Sequence, residues 1–151
     1  MMRGKKNKII LILLCFTTFV FGQTQTKVDT ILCFDKNIII EYPSISKINI
    51  VNYEEGYFKT INCILDTAVI TIHCGRMVNL PLTDLTDKTI DSKFILGKDI
   101  RSIRGYYIRN GRKKYFREDN YFKYGITIVY ENVEKISLIY YEHFFNNIKI
   151  Q

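Results

Sequence analysis

Cys63, His73, Cys74 and His143 are of types that can bind zinc, and the two histidines can also move protons. They lack the paired Cys-x-x-Cys spacing that builds a tetrahedral zinc site. His73 follows Ile70 and Ile72 in an alternating run, the setting of an ordinary strand histidine rather than a general base. Glu54 and Glu55 precede Gly56 and read as a solvated loop, with no second acid tied to them. The chain has no nucleophile elbow, no phosphate-cradling glycine loop and no His-Glu-x-x-His motif. These residues point to a non-catalytic protein with no cofactor. A small secreted hydrolase or a metal-binding protein is the alternative. A pocket uniting His73 or His143 with a cysteine or carboxylate would favour it.

The second chemistry on offer is charge. Residues 98–117 hold Lys98, Arg101, Arg104, Arg109, Arg112, Lys113, Lys114 and Arg117 against the single acid Asp99. Tyr106, Tyr107, Tyr115 and Phe116 are interleaved with them. Mixed Arg and Tyr suit anion-binding and partner-binding surfaces. The expected binding residues are Arg101, Arg104, Tyr107, Arg109, Arg112, Lys114 and Phe116, set against a protein partner with an acidic face. Two other readings are a basic strand edge that deters edge-to-edge pairing and a surface for a polyanion or anionic membrane.

The elements that must position these residues are mostly strands. Asn110-Gly111 supplies the two positive-φ residues of a type I′ hairpin turn. That turn places Arg109 opposite Arg112, Ile108 opposite Lys113, Tyr107 opposite Lys114 and Tyr106 opposite Tyr115. Tyr107, Arg109, Arg112, Lys114 and Phe116 then share one face. Lys98 to Arg104 reads as a short helix, with Ile100 and Ile103 three apart, Asp99 in its first turn and Gly105 as its stop. Short β-rich runs cover Thr30–Phe34, Ile38–Tyr42, Ile45–Asn52, Thr60–Leu65 and Ala68–Cys74, separated by turn formers. Phe94–Leu96 is a short strand, and Tyr124–Tyr130 pairs with Lys135–Tyr141 around Asn132. Asn79–Ser92 reads as a helical turn or equally a connecting loop, and Phe144–Gln151 as a tail with one short strand or turn.

The N-terminus sets the compartment. Arg3, Lys5, Lys6 and Lys8 precede the apolar run Ile9–Phe21, and Gly22 ends the segment. This is the layout of a secretory signal peptide. The run is too short for a bilayer span, which needs about 20 residues. Cys15 follows Leu13-Leu14 rather than the small residue that lipidation requires. Cleavage after Gly22 leaves 129 of 151 residues, with 18 Lys+Arg against 15 Asp+Glu. The high overall charge therefore belongs largely to the leader, and no nucleic-acid partner is expected. No transmembrane segment is expected after the leader, and the oligomeric state is open. In an oxidising compartment two of Cys33, Cys63 and Cys74 can pair. A tight turn over Leu65–Ala68 would set Cys63 against Ile70, away from Cys74, leaving Cys33 as a candidate partner; three buried free cysteines are equally compatible.

Residues 92–141 also carry an outline: Phe94-Ile95-Leu96-Gly97-Lys98, the Ile100/Ile103 segment, Tyr124-Gly125-Ile126-Thr127-Ile128 and Ile136-Ser137-Leu138-Ile139. This resembles the α+β repeat of SmpA/BamE-type periplasmic modules and β-lactamase-inhibitor-like folds. The resemblance implies a helix packed on a short antiparallel sheet and a role in binding other proteins. Gly105-Tyr106 stands where those families often have Gly-Pro, and no functional residue carries over. The expectation is thus a leader over 1–22 and one α+β domain over 23–151, predominantly antiparallel sheet with one or two short helices on one face. Its expected role is an exported protein-binding or envelope-associated module; a toxin-neutralising role would look the same in sequence.

Overall fold

The computed structural model describes residues 25–75, 87–95 and 98–151. The expected leader with Cys15, and Asn79–Thr86 of the expected helical turn or connection, lie outside the described residues. β1 (Thr26–Cys33) and β2 (Lys36–Pro43) form a hairpin around Phe34-Asp35. A first meander follows: β3 (Ser46–Tyr53), β4 (Gly56–Cys63) and β5 (Val69–Cys74). A second comprises β6 (Asp87–Ile95), β7 (Lys98–Arg109), β8 (Arg112–Tyr121), a 3-10 turn (Phe122–Tyr124) and β9 (Ile126–Val133). Helix α1 (Leu138–Asn146) and the short β10 (Lys149–Ile150) close the chain.

The meanders fuse because β9 pairs with β5, giving an antiparallel sheet of order β3-β4-β5-β9-β8-β7-β6. β10 adds to β2, giving a second sheet of order β1-β2-β10. The fold is α+β and dominated by antiparallel strands. One core lies between the sheets. Ile61, Ile70, Ile72, Ile126, Ile128 and Tyr130 from the large sheet meet Ile31, Ile38, Ile40 and Tyr42 from the small one. The alternation of β-branched residues along these strands makes that shared apolar face.

The disulfide joins Cys33 in β1 to Cys74 in β5, one strand from each sheet, with Cα atoms 5.6 Å apart. Lys59 of β4 adds an ion pair to Asp29 of β1 at 2.9 Å. Burial pushes the Asp29 carboxyl up, but its bonds from Lys59 and Tyr42 outweigh that and hold it below the usual range. Cys63 is free and buried, and burial pushes its thiol up. The expected pairing of Cys63 with Ile70 is corrected: Ile61 faces Ile70, and the Cys63 amide donates to the Ala68 carbonyl at 2.8 Å across a four-residue loop.

Two element assignments are also corrected. Lys98–Arg104 is strand, not helix. Two isoleucines three apart cannot anchor a helix of two turns, whereas β7 pairs with β6 over Lys98–Tyr106 and with β8 over Ile100–Arg109. Lys135–Tyr141 is not the partner of β9; a turn leads into α1, and Tyr141, Phe144 and Phe145 point into the core. Those residues recur at helical spacing, but the Ile and Tyr content of the segment also fits a strand. The N-cap Ser137 makes no side-chain capping bond, so the usual start signal is missing. The expected Phe144–Gln151 tail is therefore helix end plus β10, and β6 extends the expected Phe94–Leu96 strand back to Asp87.

Candidate functional site

The β7–β8 hairpin forms in the predicted register. Arg109 faces Arg112, Ile108 faces Lys113, Tyr107 faces Lys114 and Tyr106 faces Tyr115. Asn110 and Gly111 have φ of 51° and 71°, the left-handed pair that a type I′ turn needs. Among the described residues, β6 pairs with β7 only as far as Tyr106, and β9 with β8 only as far as Tyr115. The last three residue pairs, Tyr107–Lys114, Ile108–Lys113 and Arg109–Arg112, therefore extend past both described neighbouring strands as a two-stranded ribbon.

The base of this ribbon is fixed by a buried ionic network. Arg117 and Asp119 lie two apart on β8, so both point toward α1. Their side chains are 7% and 3% exposed. Arg117 Nε donates to Asp119 Oδ1 at 3.0 Å and Nη2 approaches Oδ2 at 2.8 Å, a bidentate pair. Nη1 donates to Glu142 Oε2 and to Asn146 Oδ1 on α1, each at 2.8 Å. Ser102 on β7 donates to Asp119 Oδ1 at 2.6 Å, and the Tyr130 hydroxyl donates to Glu142 Oε1 at 2.6 Å. Arg104 Nη1 lies 3.5 Å from Glu142 Oε2. Burial opposes the charge on Arg117, but the Asp119 and Glu142 carboxylates more than compensate and hold it firmly protonated. Burial and the adjacent Glu142 carboxylate push the Tyr130 phenol up, so it stays a donor. Two arginines meet two carboxylates here. A cavity of about 210 Å³ adjoins them, but Arg117 already spends its donors on protein acceptors. The network is an anchor locking hairpin to helix, not a vacant anion site.

The expected binding residues separate along the hairpin. Arg101 leaves the group, its guanidinium 5.1 Å from the Phe122 ring centre. Phe122 lines an open cleft of about 750 Å³ with Phe34, Lys36 and Tyr124. Arg104 belongs to the anchor. Phe116 is buried, 1% exposed. Lys114 is also buried and ion-paired with Glu134 at 3.0 Å. Tyr107 is half-buried, its phenol pushed up first by burial. At the tip, Arg109, Arg112 and Lys113 are exposed beside the exposed Ile108. The Arg112 side chain is 77% exposed and only loosely shared with Glu134, at 3.7 Å. Lys113 Nζ sits 4.0 Å above the Tyr106 ring. The hydrogen bond and charge of Lys114 hold the Glu134 carboxyl below its usual range. A depressed carboxyl contributes stability above the unfolded value of about 4.3 and loses it as pH falls through the folded value. The Lys114–Glu134 tie should therefore survive mild acid and release only below that value. Amide exchange at Tyr107–Lys114, followed from pH 6 to pH 3, should rise beyond intrinsic rates only at the acid end.

Sequence reasoning missed Asp119, Glu134 and Glu142 as the acids that answer this basic stretch. Asp119 stands just past the end of the basic run. Glu142 was placed on no functional face because its segment reads as strand and tail. The Arg117-x-Asp119 spacing in a strand was the one available signal.

The histidines lie elsewhere. Tyr53 OH and His73 Nε2 are 2.5 Å apart, and the His73 ring stacks on Phe58 with centroids 4.3 Å apart. Gly75 leaves room for this pair, because a Cβ there would lie 1.7 Å from the Tyr53 oxygen. His73 is buried, which holds its pKa below the usual histidine value. The unfolded chain takes up this proton near pH 6.5 and the folded chain does not. Stability should therefore fall as pH drops below about 6.5, above the carboxylate range. Urea midpoints at pH 7.5 and 5.5 should differ for the parent and converge for His73→Phe; an equal difference in both would contradict this. His143 is exposed beside Asn147. Cys74 is committed to its disulfide. Among the described residues, no three His, Cys, Asp or Glu side chains gather as a metal site requires. None of the described helices is long and apolar enough to cross a membrane.

No protein-family profile, curated protein or solved structure matches this chain. The Ile100/Ile103 segment, which stood for the helix in the SmpA/BamE-type resemblance, is part of β7.

Proposed function

We propose that this protein is an exported, non-catalytic binding module that holds a protein partner with an acidic face on the tip of its β7–β8 hairpin. The observation that carries this reading is the protruding ribbon, fixed at its base and bearing Arg109, Arg112 and Lys113 exposed at its end. Arg109 directly opposes Arg112 across the ladder. Like charges so placed destabilise an isolated hairpin, and an acidic partner removes that penalty. Ile108 and the Tyr106 ring add apolar surface beside the charges, as interface centres do. The cleavable leader suggested by residues 1–22 and the Cys33–Cys74 disulfide both fit an oxidising compartment outside the cytosol.

Edge protection explains the charges less well. It can concern only the stretch past Tyr106 and Tyr115, where the described neighbouring strands stop, and the exposed charges cluster at its tip; below it β7 and β8 are interior strands.

The test is affinity capture from the exported fraction of the source cell, using the chain without residues 1–22. Arg109→Glu/Arg112→Glu/Lys113→Glu should lose the captured partner at least about tenfold, with the remaining binding less sensitive to salt. A control reversal at Lys123 and Lys149, exposed on other elements, should leave capture unchanged. Equal capture by both reversed variants, or transfer of the parent to anionic vesicles with no protein retained, would defeat the proposal.

A further inference from the structure

Among the described residues the large sheet ends on β3 at one side and β6 at the other. In sequence, β6 carries Asp87, Lys88, Asp91 and Lys93, the charged composition that deters strand addition. β3 is different. Its sequence, Ser-Lys-Ile-Asn-Ile-Val-Asn-Tyr, has one charge, no proline and no glycine. It pairs with β4 over all eight residues without a bulge. Ile48, Ile50 and Val51 are 38%, 54% and 53% exposed. Ile45, Ile64 and Leu65 extend the exposed apolar surface at one end of the strand. A long, straight, apolar edge of this kind is a template for another strand.

The backbone fixes which groups are available. β3 and β4 are joined by the two-residue turn Glu54-Glu55, flanked by the pair Tyr53 and Gly56. In such a hairpin the flanking pair is hydrogen-bonded, and the bonded residues alternate from there. Tyr53, Val51, Asn49 and Lys47 thus point their amides and carbonyls at β4. Ile48, Ile50 and Asn52 point theirs outward from the sheet, whereas the Ser46 amide donates to the Ser44 carbonyl at 3.1 Å.

We infer that β3 pairs with β3 of a second copy, antiparallel and about a two-fold axis passing between the two Asn49 residues. The pattern of β3 is self-complementary in that register. Ile48 faces the partner's Ile50 and Ile50 the partner's Ile48, both through outward-pointing backbone groups. Ser46 faces Asn52, and the sole charge, Lys47, faces the apolar Val51. No like charges meet, the isoleucines of both copies form one apolar cluster, and the two seven-stranded sheets become continuous. An isologous contact of this type closes on itself as a dimer rather than propagating. The β7–β8 ribbon lies toward the opposite side of the sheet order, so dimerisation leaves the tip of each copy free.

Two measurements test this. Sedimentation equilibrium of the chain lacking residues 1–22 should give a dimer, and Ile48→Lys/Ile50→Lys should give a monomer. Mixing that variant with Ile48→Glu/Ile50→Glu should restore a dimer of mixed composition, which a merely misfolded variant would not do. The register is read by cysteine placement. Facing Asn49 residues form a non-hydrogen-bonded pair with Cα atoms about 4.5 Å apart, within reach of a disulfide. Asn49→Cys should therefore cross-link copies under mild oxidation, and Lys47→Cys, facing Val51, should not. A monomer at all concentrations up to the millimolar range would overturn the inference. So would a dimer that persists in Ile48→Lys/Ile50→Lys, or cross-linking by Lys47→Cys in place of Asn49→Cys.

Discussion

Arg117→Ala is expected to lower the unfolding free energy by about 3–5 kcal/mol, the cost of breaking a buried ion pair from one side. The cause is what the substitution leaves behind. Asp119 is almost fully buried and keeps only the Ser102 hydroxyl as a neutral donor. Glu142 keeps Tyr130 and the more distant Arg104. Two carboxylates then share the junction of β7, β8 and α1 with one peripheral cation. Removing all the buried charges is different in kind: Arg117→Met/Asp119→Leu/Glu142→Gln should cost much less than the single change, because no buried charge is orphaned. Urea unfolding of the oxidised protein decides between the two. A single-variant loss below about 1 kcal/mol, the scale of an exposed pair, would mean that the network is solvated and does not anchor the ribbon.

Breaking the Cys33–Cys74 disulfide should have a comparable effect, for a separate reason. The bond spans 41 residues of sequence. Loop-closure entropy for a ring of that size amounts to about 4 kcal/mol. It also joins strands of different sheets that do not pair with each other, so its loss leaves the two sheets held by their shared core and the Lys59–Asp29 pair. Cys33→Ala/Cys74→Ala should melt well below the parent, and a reductant should lower the parent to meet it while leaving the variant unmoved. Cys63→Ala should show the same reductant response as the parent, since that thiol is unpaired. Coincident melting of the parent with and without reductant would contradict this account.

What the residues disclosed in advance follows from how local each signal is. The Asn110-Gly111 turn dictates its hairpin by backbone conformation alone, and all four expected pairs around it occur. The five early β-rich runs sit within β1 to β5, apart from ragged ends, because alternation and turn formers are also local. The helix was not legible. Ile136, Leu138 and Tyr140 alternate like a strand, and only the tertiary contacts of Tyr141, Phe144 and Phe145 favour the 3.6-residue period. Lys98–Arg104 failed in the other direction, where two isoleucines imitated a helix that a waiting partner strand overrode. The site followed the same rule. The register at its tip is set by the turn and could be read in advance, but Lys113 was not among the expected binding residues, and the acids that neutralise its base come from β8, the segment after β9 and α1. Sequence distance hid them: Glu142 lies 25 residues from Arg117.

The central claim is that the tip of the β7–β8 ribbon is the surface that meets a partner. A photo-crosslinking residue placed at Ile108, exposed beside the charged tip and outside the turn, reads that contact directly. Expressed in the source cell, this variant should capture a discrete protein with an acidic surface. The crosslink should vanish when Arg109 and Arg112 are reversed to Glu, and the same probe at Lys149 should capture nothing. Crosslinks of equal yield from Ile108 and Lys149, or an Ile108 crosslink indifferent to the charge reversal, would contradict the account.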